Sequence, residues 1–241
     1  MKEREIFSTI ALVPPLMVRV DGRAFHGLTR KSGLEKPYDS GFQDAFCEIC
    51  LRLMSSSGLE PLFCYTFSDE ISIYFDTLPF GGRLEKIDSV CASYAASAAT
   101  LALHSEEPLS FDSRVILLTP DKVGEYLTWR QKEAWRNHIN AYCQHALIED
   151  GMTSSQAAKA LKGLNSRDMH EMMFRRGVNL AKTPAWQRRG TLISRRTVKK
   201  EGYNPVTGET VECERRVAFA DRDLPLFSTP EGEAYLSSVL D

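Results

Sequence analysis

The sequence predicts an α+β protein: a ferredoxin-like core, with an antiparallel sheet carrying helices on one face, followed by a helical and β-hairpin C-terminal part. Three observations point there. Apolar runs and helical-period segments follow in the order strand, helix, strand, strand, helix, strand, the split βαβ arrangement. Only Ser68, Asp69 and Glu70 separate the second and third runs, the length of a hairpin connection. The segment Leu84 to Leu103 is rich in alanine, which suits a helix lying close against a sheet.

Each element carries its own signal. Leu16 to Val20 is a short apolar run that ends in the turn-forming Asp21-Gly22-Arg23. Ser40 followed by Gln43 reads as a capping box, and Phe42, Ala45, Phe46, Ile49, Leu53 and Met54 then recur near helical period until Gly58. Leu62 to Phe67 and Ile71 to Phe75 read as strands. Ile87, Cys91, Tyr94 and Ala98 line one face of the alanine-rich helix, and Arg114 to Leu118 is a fourth strand. This order sets the first and third strands side by side in the centre. It buries one face of the sheet beneath two helices and leaves the other free for a site.

Further on, Trp129 to Ile148 reads as a helix. Thr153 with Gln156 opens a short one that stops at Gly163, and Ser166 to Arg176 ends at Gly177. Thr191 to Lys199 and Val211 to Phe219 flank the turn-rich NPVTG and form a hairpin. With no linker or repeat, residues 1–241 make one unit, a core over about 1–135 and an extension over about 136–241.

Composition narrows the function. Apolar residues make up 43% and charged residues 26%, enough for a sizeable core. A formal net charge of −2 excludes a uniform basic field, so nucleic-acid binding has to rest on local patches. Such patches exist late in the chain as paired residues: Arg175-Arg176, Arg188-Arg189, Arg195-Arg196, Lys199-Lys200 and Arg215-Arg216. Cys47 and Cys50 form a CxxC pair without a second pair. They fall on one apolar helical face, so packing is favoured over redox or metal chemistry. No targeting or membrane-spanning segment is evident, and a cytoplasmic protein away from membranes is expected.

The acidic residues carry the chemistry. Asp21 ends the first strand, while Asp69 and Glu70 sit in the hairpin joining the second and third. If the first and third strands are neighbours, Asp21 and Asp69 converge. Converging carboxylates repel unless something compensates, and a hard cation such as Mg²⁺ does so through oxygen ligands. An ordinary turn and a plain polar hairpin would also account for the same residues.

Several segments together resemble the tRNA(His) guanylyltransferase family, and most nearly its bacterial-type guanylyltransferase-like members. They are VRVDGRAFHGLT (18–29), YTFSDEISIYF (65–75), FDSRV (111–115), YLTWRQKEAWRNHINAYC (126–143), LNSRDMHEMMFRRGVNL (164–180), PAWQRRGTLI (184–193) and KEGYNPVTGE (200–209). The resemblance implies a polymerase-palm core that extends RNA in the 3′–5′ direction. It implies two Mg²⁺ ions held by Asp21, Asp69 and the backbone carbonyl of Gly22, with Glu70 completing the catalytic motif. Nucleotide contacts are implied at Arg23, Ala24, Phe25, His26, Lys36, Ser68, Asp69, Arg83 and Lys86. Binding and activation of the tRNA 5′ end are implied at Arg130, Arg136, His138 and Asn140, with phosphate contacts from Arg175, Arg188 and Arg189. GTP and other nucleoside triphosphates would be substrates, ATP would serve 5′ activation, tRNA would be the partner, and a homotetramer the assembly.

Two departures qualify the likeness. Tyr38 stands where the family usually has asparagine, and Asn140-Ala141-Tyr142-Cys143 replaces asparagine-leucine-tyrosine-asparagine. The second departure favours template-directed repair of 5′-truncated tRNA over strict guanosine addition at position −1. A palm-fold nucleotide cyclase and a non-catalytic RNA-binding module are the rival readings. The first leaves the WRQKEAWRNHINAYC match unexplained, the second the acidic pair.

Overall fold

The structure, a computed structural model, describes residues 1, 4–25, 27, 33–203, 208 and 210–240. The NPVTG loop therefore lies largely outside the described residues, as does His26. The elements are β1 (Leu16–Gly22), α1 (Ser40–Ser55), β2 (Phe63–Phe67), β3 (Glu70–Phe75), α2 (Leu84–Ala102), β4 (Phe111–Leu117), α3 (Val123–Glu149), α4 (Ser154–Leu161), α5 (Ser166–Arg175), α6 (Ala185–Arg189), β5 (Thr191–Tyr203), β6 (Thr210–Asp221) and α7 (Pro230–Leu240). Among the described residues the strands join one antiparallel sheet of six in the order β4-β1-β3-β2-β5-β6. The expected neighbours β1 and β3 are central, paired from Leu16↔Phe75 to Asp21↔Glu70. The C-terminal hairpin continues the same sheet, because Thr191 to Ser194 pair with β2.

One face of the sheet buries Leu16, Val18, Val20, Cys64, Ile71 and Ile73 against Phe46, Ile49 and Leu53 of α1 and Ile87, Cys91 and Ala95 of α2. Small residues on α2 allow the close approach that its composition predicts. Cys47 and Cys50 are buried free thiols, in keeping with a packing role.

The expectation of an open second face fails. Met17, Phe63, Tyr65, Phe67 and Tyr74 project to that side, where Val123, Tyr126, Leu127 and Ala134 of α3 cover them together with Leu224, Phe227 and Leu236. Every residue of β2 and β3 is buried. FCYTF and EISIYF lack the polar alternation of a half-exposed strand, and strands of that kind need cover on both sides. Among the described residues this face stays accessible along the margin of β1 and the edge strand β4, where Asp112 and Arg114 are exposed, and along the outer part of the β5–β6 hairpin.

Several boundaries differ from the expected ones. Helix α1 is capped by Asp39 rather than Ser40. Its carboxylate accepts from Phe42 N at 2.8 Å and Glu35 N at 2.9 Å, and Gln43 is buried, donating to Thr191 Oγ1 at 3.0 Å. Helix α3 begins at Val123, six residues before Trp129, because Val123, Tyr126 and Leu127 are buried against the sheet. Its second half carries a separate small core, in which Ile139, Cys143 and Leu147 pack on Leu161, Met169 and Met173. The capping box of Thr153 and Gln156 forms as expected, and Gly177 takes φ +80° after α5.

Candidate active site

The β2–β3 hairpin is tighter than expected. Phe67 pairs directly with Glu70, so Ser68 and Asp69 alone form the loop, with Ser68 at φ +52°. Asp69 is thereby swung toward the end of β1. Its carbonyl accepts from Gly22 N at 3.0 Å, and its Oδ1 accepts from Ser68 Oγ at 2.9 Å. A Cβ at Gly22 would lie 2.6 Å from the Phe25 ring and 3.0 Å from Asp69 Cβ, so only glycine lets the two turns touch.

Asp21 is half-buried beside this contact. Burial first, then the charges of Asp69 and Asp112, raise its pKa above the ordinary carboxylate value. Asp112 was missed by sequence reasoning. It lies opposite Asp21 across the β1–β4 ladder, with Arg114 Nε 3.5 Å away from its Oδ1. The signal was present in FDSRV, since strand alternation puts Asp112 and Arg114 on the Asp21 side.

Electrostatic repulsion that raises Asp21 is what a hard cation relieves. Among the described residues no group of three or more His, Cys, Asp or Glu side chains is arranged to hold a metal. Mg²⁺ requires no such cage. It commonly takes one or two carboxylates and completes its octahedron with phosphate oxygens and water, so Asp21, Asp69 and the Gly22 backbone fit it.

Glu70 lies directly across the β1–β3 ladder from Asp21, and burial together with Asp21's charge raises its pKa, but its oxygens are engaged elsewhere. It opens β3, is 7% exposed, and is gripped on both oxygens by Arg130 of α3, Nε to Oε1 at 2.9 Å and Nη2 to Oε2 at 2.5 Å. Arg19 Nε stands 3.8 Å from the same carboxylate. Arg130, expected at the RNA end, is itself buried in this pair.

The remaining residues divide by position. Arg23 and Ala24 are exposed just after Gly22, and Ala24 takes φ +62°. Phe25 is buried against Phe42, Phe46 and Phe111, which leaves only its backbone for a ligand. Lys36 is exposed in the segment before α1. Arg83 and Lys86 meet around Phe80. Arg83 Nε donates to its carbonyl at 3.1 Å, and Lys86 Nζ lies 5.7 Å from its ring centroid. They are not brought to the carboxylates of their own chain. Arg83 bridges to Ala11 upstream of Leu16, the opposite end of β1 from Asp21.

His138 is fully buried, with Nε2 3.1 Å from Thr183 Oγ1, amid Tyr38, Trp135 and Tyr142. Burial lowers its pKa to about 4, helped by the charges of Arg188 and His170. Asn140 Nδ2 donates to the Arg136 carbonyl at 3.0 Å, and the exposed Arg136 pairs with Glu133. Arg175 is exposed and pairs with Glu171 at 2.8 Å. Arg188 and Arg189 are half-buried. Arg188 donates to the Thr183 carbonyl at 2.8 Å and Arg189 to the Leu224 carbonyl at 2.6 Å.

An antiparallel sheet with helices on both faces, and a carboxylate pair where β1 meets the β2–β3 turn, defines a palm-type nucleotidyl-transferring protein. The family model described as tRNAHis guanylyltransferase matches residues 1–119, and the Thg1 C terminal domain model matches residues 121–222. The chain belongs to this family, and it is a nucleotidyltransferase.

Among curated relatives, a probable tRNA(His) guanylyltransferase of Dictyostelium discoideum is 31% identical over 221 residues, 84% of this chain and 82% of that one. One from Drosophila melanogaster is 29% identical over 194 residues, covering 76% and 68%. Two structures of a bacterial tRNA(His) guanylyltransferase (Thg1)-like protein are each 28% identical. The complex with GTP has a TM-score of 0.73 and coverage of 100% and 96%. The complex with ATP has a TM-score of 0.76 and coverage of 99% and 96%. The enzyme of Saccharomyces cerevisiae, at 22% identity, a TM-score of 0.68 and coverage of 77% and 88%, shares the fold.

Proposed function

We propose that this protein adds nucleotides to the 5′ end of tRNA in the 3′–5′ direction, the opposite strand of the acceptor stem selecting each one. The observation that carries the reading is the Asp21–Asp69 pair, brought together by the Gly22 contact, with Asp21 raised in pKa by burial and then by the neighbouring charges. The family supports nucleotidyl transfer and the tRNA end, and the bacterial relatives support GTP and ATP as its nucleotides.

The 3′-hydroxyl of an incoming nucleoside triphosphate is the nucleophile. The electrophile is the α-phosphorus of a 5′ end activated as triphosphate or adenylylate. The new P–O bond forms as pyrophosphate or AMP leaves, and the hydroxyl proton is lost to solvent or the leaving phosphate. Mg²⁺ held at Asp21, Asp69 and Gly22 would lower the pKa of the hydroxyl and neutralise developing charge. The chain's own part is alignment. The exposed backbone at Arg23 and Ala24 and the side chain of Lys36 bind the nucleotide. Arg83 and Lys86 can serve a nucleotide bound to this chain's carboxylates only from a neighbouring copy, which agrees with the tetramer that the family resemblance implies.

Base pairing can select a nucleotide without a dedicated base pocket, provided that the protein holds the A-form end in line. The test uses a tRNA lacking its first nucleotide, carrying a 5′-triphosphate, in four versions that differ at the partner base. Complementary incorporation in all four is expected. Asp21→Asn and Asp69→Asn should each lose at least about a hundredfold in rate with Tm unchanged. Guanosine addition whatever the partner base would replace repair with strict guanylylation, and near-normal activity in either variant would remove the carboxylate assignment.

A further inference from the structure

Trp129 is 47% exposed at the margin of α3, although its ring is held in place. The guanidinium carbon of Arg130 lies 4.4 Å from its ring centroid and that of Arg19 5.7 Å, while Tyr126 meets it edge-on with centroids 5.8 Å apart. Arg130 cannot drift, because Glu70 holds it bidentately. The indole is thus a pre-ordered flat surface, and little side-chain entropy remains to be lost when something stacks on it.

Two further facts say what would stack there. Arg19 is two residues before Asp21 and projects to the same side of β1, so the ring stands on the side of the sheet that carries the reacting end. Arg19 Nε is buried with no hydrogen-bond partner; Glu70 faces both guanidiniums, and Asp21 is within electrostatic reach of Arg19. The arrangement therefore keeps an unused guanidinium donor next to an aromatic plane, the pair of features a nucleotide presents in complement as phosphate and base. A cavity of about 790 Å³ between the start of α3 and α7 borders Trp129; besides Thr128, Lys132 and Phe227 it is lined by the acidic Asp121, Glu125 and Glu233, so it offers room to an uncharged base and not to the phosphates.

We infer that Trp129 is the stacking platform for a nucleobase at the reacting end, with the adjacent phosphate drawn to Arg19. The inference rests on the nucleotidyl-transfer reading above and adds a contact to it. Stacking is indifferent to base identity, as template-directed addition requires, because every base offers a π face. The base belongs either to the 5′-terminal residue of the RNA or to the incoming triphosphate, and the experiment separates the two.

The dissociation constant for 5′-truncated tRNA and the KM for the nucleoside triphosphate are to be measured for wild type, Trp129→Phe and Trp129→Ala. The RNA is to be tested with a normal and with an abasic 5′-terminal residue, and ribose 5-triphosphate is to be tested as a competitor of the nucleotide. Trp129→Ala should weaken one of the two ligands about tenfold, the low end of what stacking one base contributes, and Trp129→Phe should recover most of the loss. The difference between wild type and Trp129→Ala should vanish for the abasic RNA if the terminal base stacks, or for ribose 5-triphosphate if the incoming base does. An alanine variant that binds both ligands normally, or that loses as much toward the baseless probes, overturns the inference. Wild-type protein that binds RNA but transfers nothing would defeat the nucleotidyl-transfer reading instead. Thermal unfolding of the three proteins guards against a folding defect.

Discussion

His138 shows how a single residue changes meaning between sequence and structure. In the sequence it stands in a histidine-isoleucine-asparagine stretch whose family role lies at the tRNA 5′ end, and its imidazole is an obvious candidate for contact with phosphate. In the structure it is fully buried among aromatic rings and its pKa falls to about 4, so it is neutral at pH 7. The sign of its linkage follows. Between its ordinary value near 6.5 and about 4, the unfolded chain binds a proton that the folded chain refuses. The stabilisation is complete above the unfolded pKa and is lost as pH falls through that window, up to about 3 kcal/mol by pH 4. Urea unfolding at pH 7 and pH 4.5 should therefore show a steeper loss for wild type than for His138→Gln. Equal losses in the two proteins would mean that the imidazole is not held neutral. The residue pattern shows only part of this burial: Trp135 and Tyr142 share a helical face with His138 within α3, whereas Tyr38 meets the imidazole only when α3 and the segment before α1 come together. Asp21 and Asp69, by contrast, were legible. Each ends an element whose limits can be read from the apolar pattern, and the strand order alone brings them together.

Among the elements, the strands of the core were readable and the coupling between them and α3 was not. Apolar runs bounded by turn residues report a strand wherever it lies in the sheet, whereas the start of α3 depends on which residues the sheet needs as cover. The Glu70–Arg130 pair is the joint between the two. It ties the first residue of β3 to the first third of a helix that spans 27 residues. Sequence reading placed Glu70 in a polar turn and Arg130 on an RNA surface, because a charged residue is assumed exposed until its partner is known. A buried pair of this kind penalises removal of one partner more than removal of both. Glu70→Gln should cost about 3–5 kcal/mol in denaturant unfolding, by leaving the guanidinium buried and uncompensated. The double variant Glu70→Gln/Arg130→Met should recover at least about 1 kcal/mol of that loss. Additive losses would show that the two side chains do not depend on each other.

Over the whole molecule the charge is segregated, and the long C-terminal hairpin is where this shows. Only Thr191 to Ser194 of β5 pair with β2, so from Arg195 onward β5 and β6 pair with each other alone. Strand alternation lets at most one residue of each basic pair face a given ligand, and the register shows which. Arg195 is turned inward and donates to the carbonyls of Pro61, at 2.8 Å, and Met54. Thr197 faces Arg216 and Lys199 faces Glu214, while Lys199 also pairs with Glu212, so that side is mixed in charge. The other side carries Arg196, Lys200 and Arg215 opposite or next to Val217, Cys213 and Val198; among the described residues its carboxylate is Asp221, at the inner end opposite Leu192. It is the side to which Leu192 points, shared with the Arg130 helix and the reacting end. Arg196 lies 3.6 Å from the Phe219 centroid, so its guanidinium is held in position there. Phosphate contacts position an RNA without reading its sequence, and each one releases counterions on binding. Replacing Arg196, Lys200 and Arg215 by serine should reduce the slope of log K against log salt for tRNA binding by about 2, with the stability of the protein little changed. The same replacement of Lys199 and Arg216, on the mixed side, should leave the slope nearly as in wild type. If the two sets of substitutions lower the slope equally, the ribbon attracts RNA only through its total charge, and the register has no part in holding the substrate over the carboxylates.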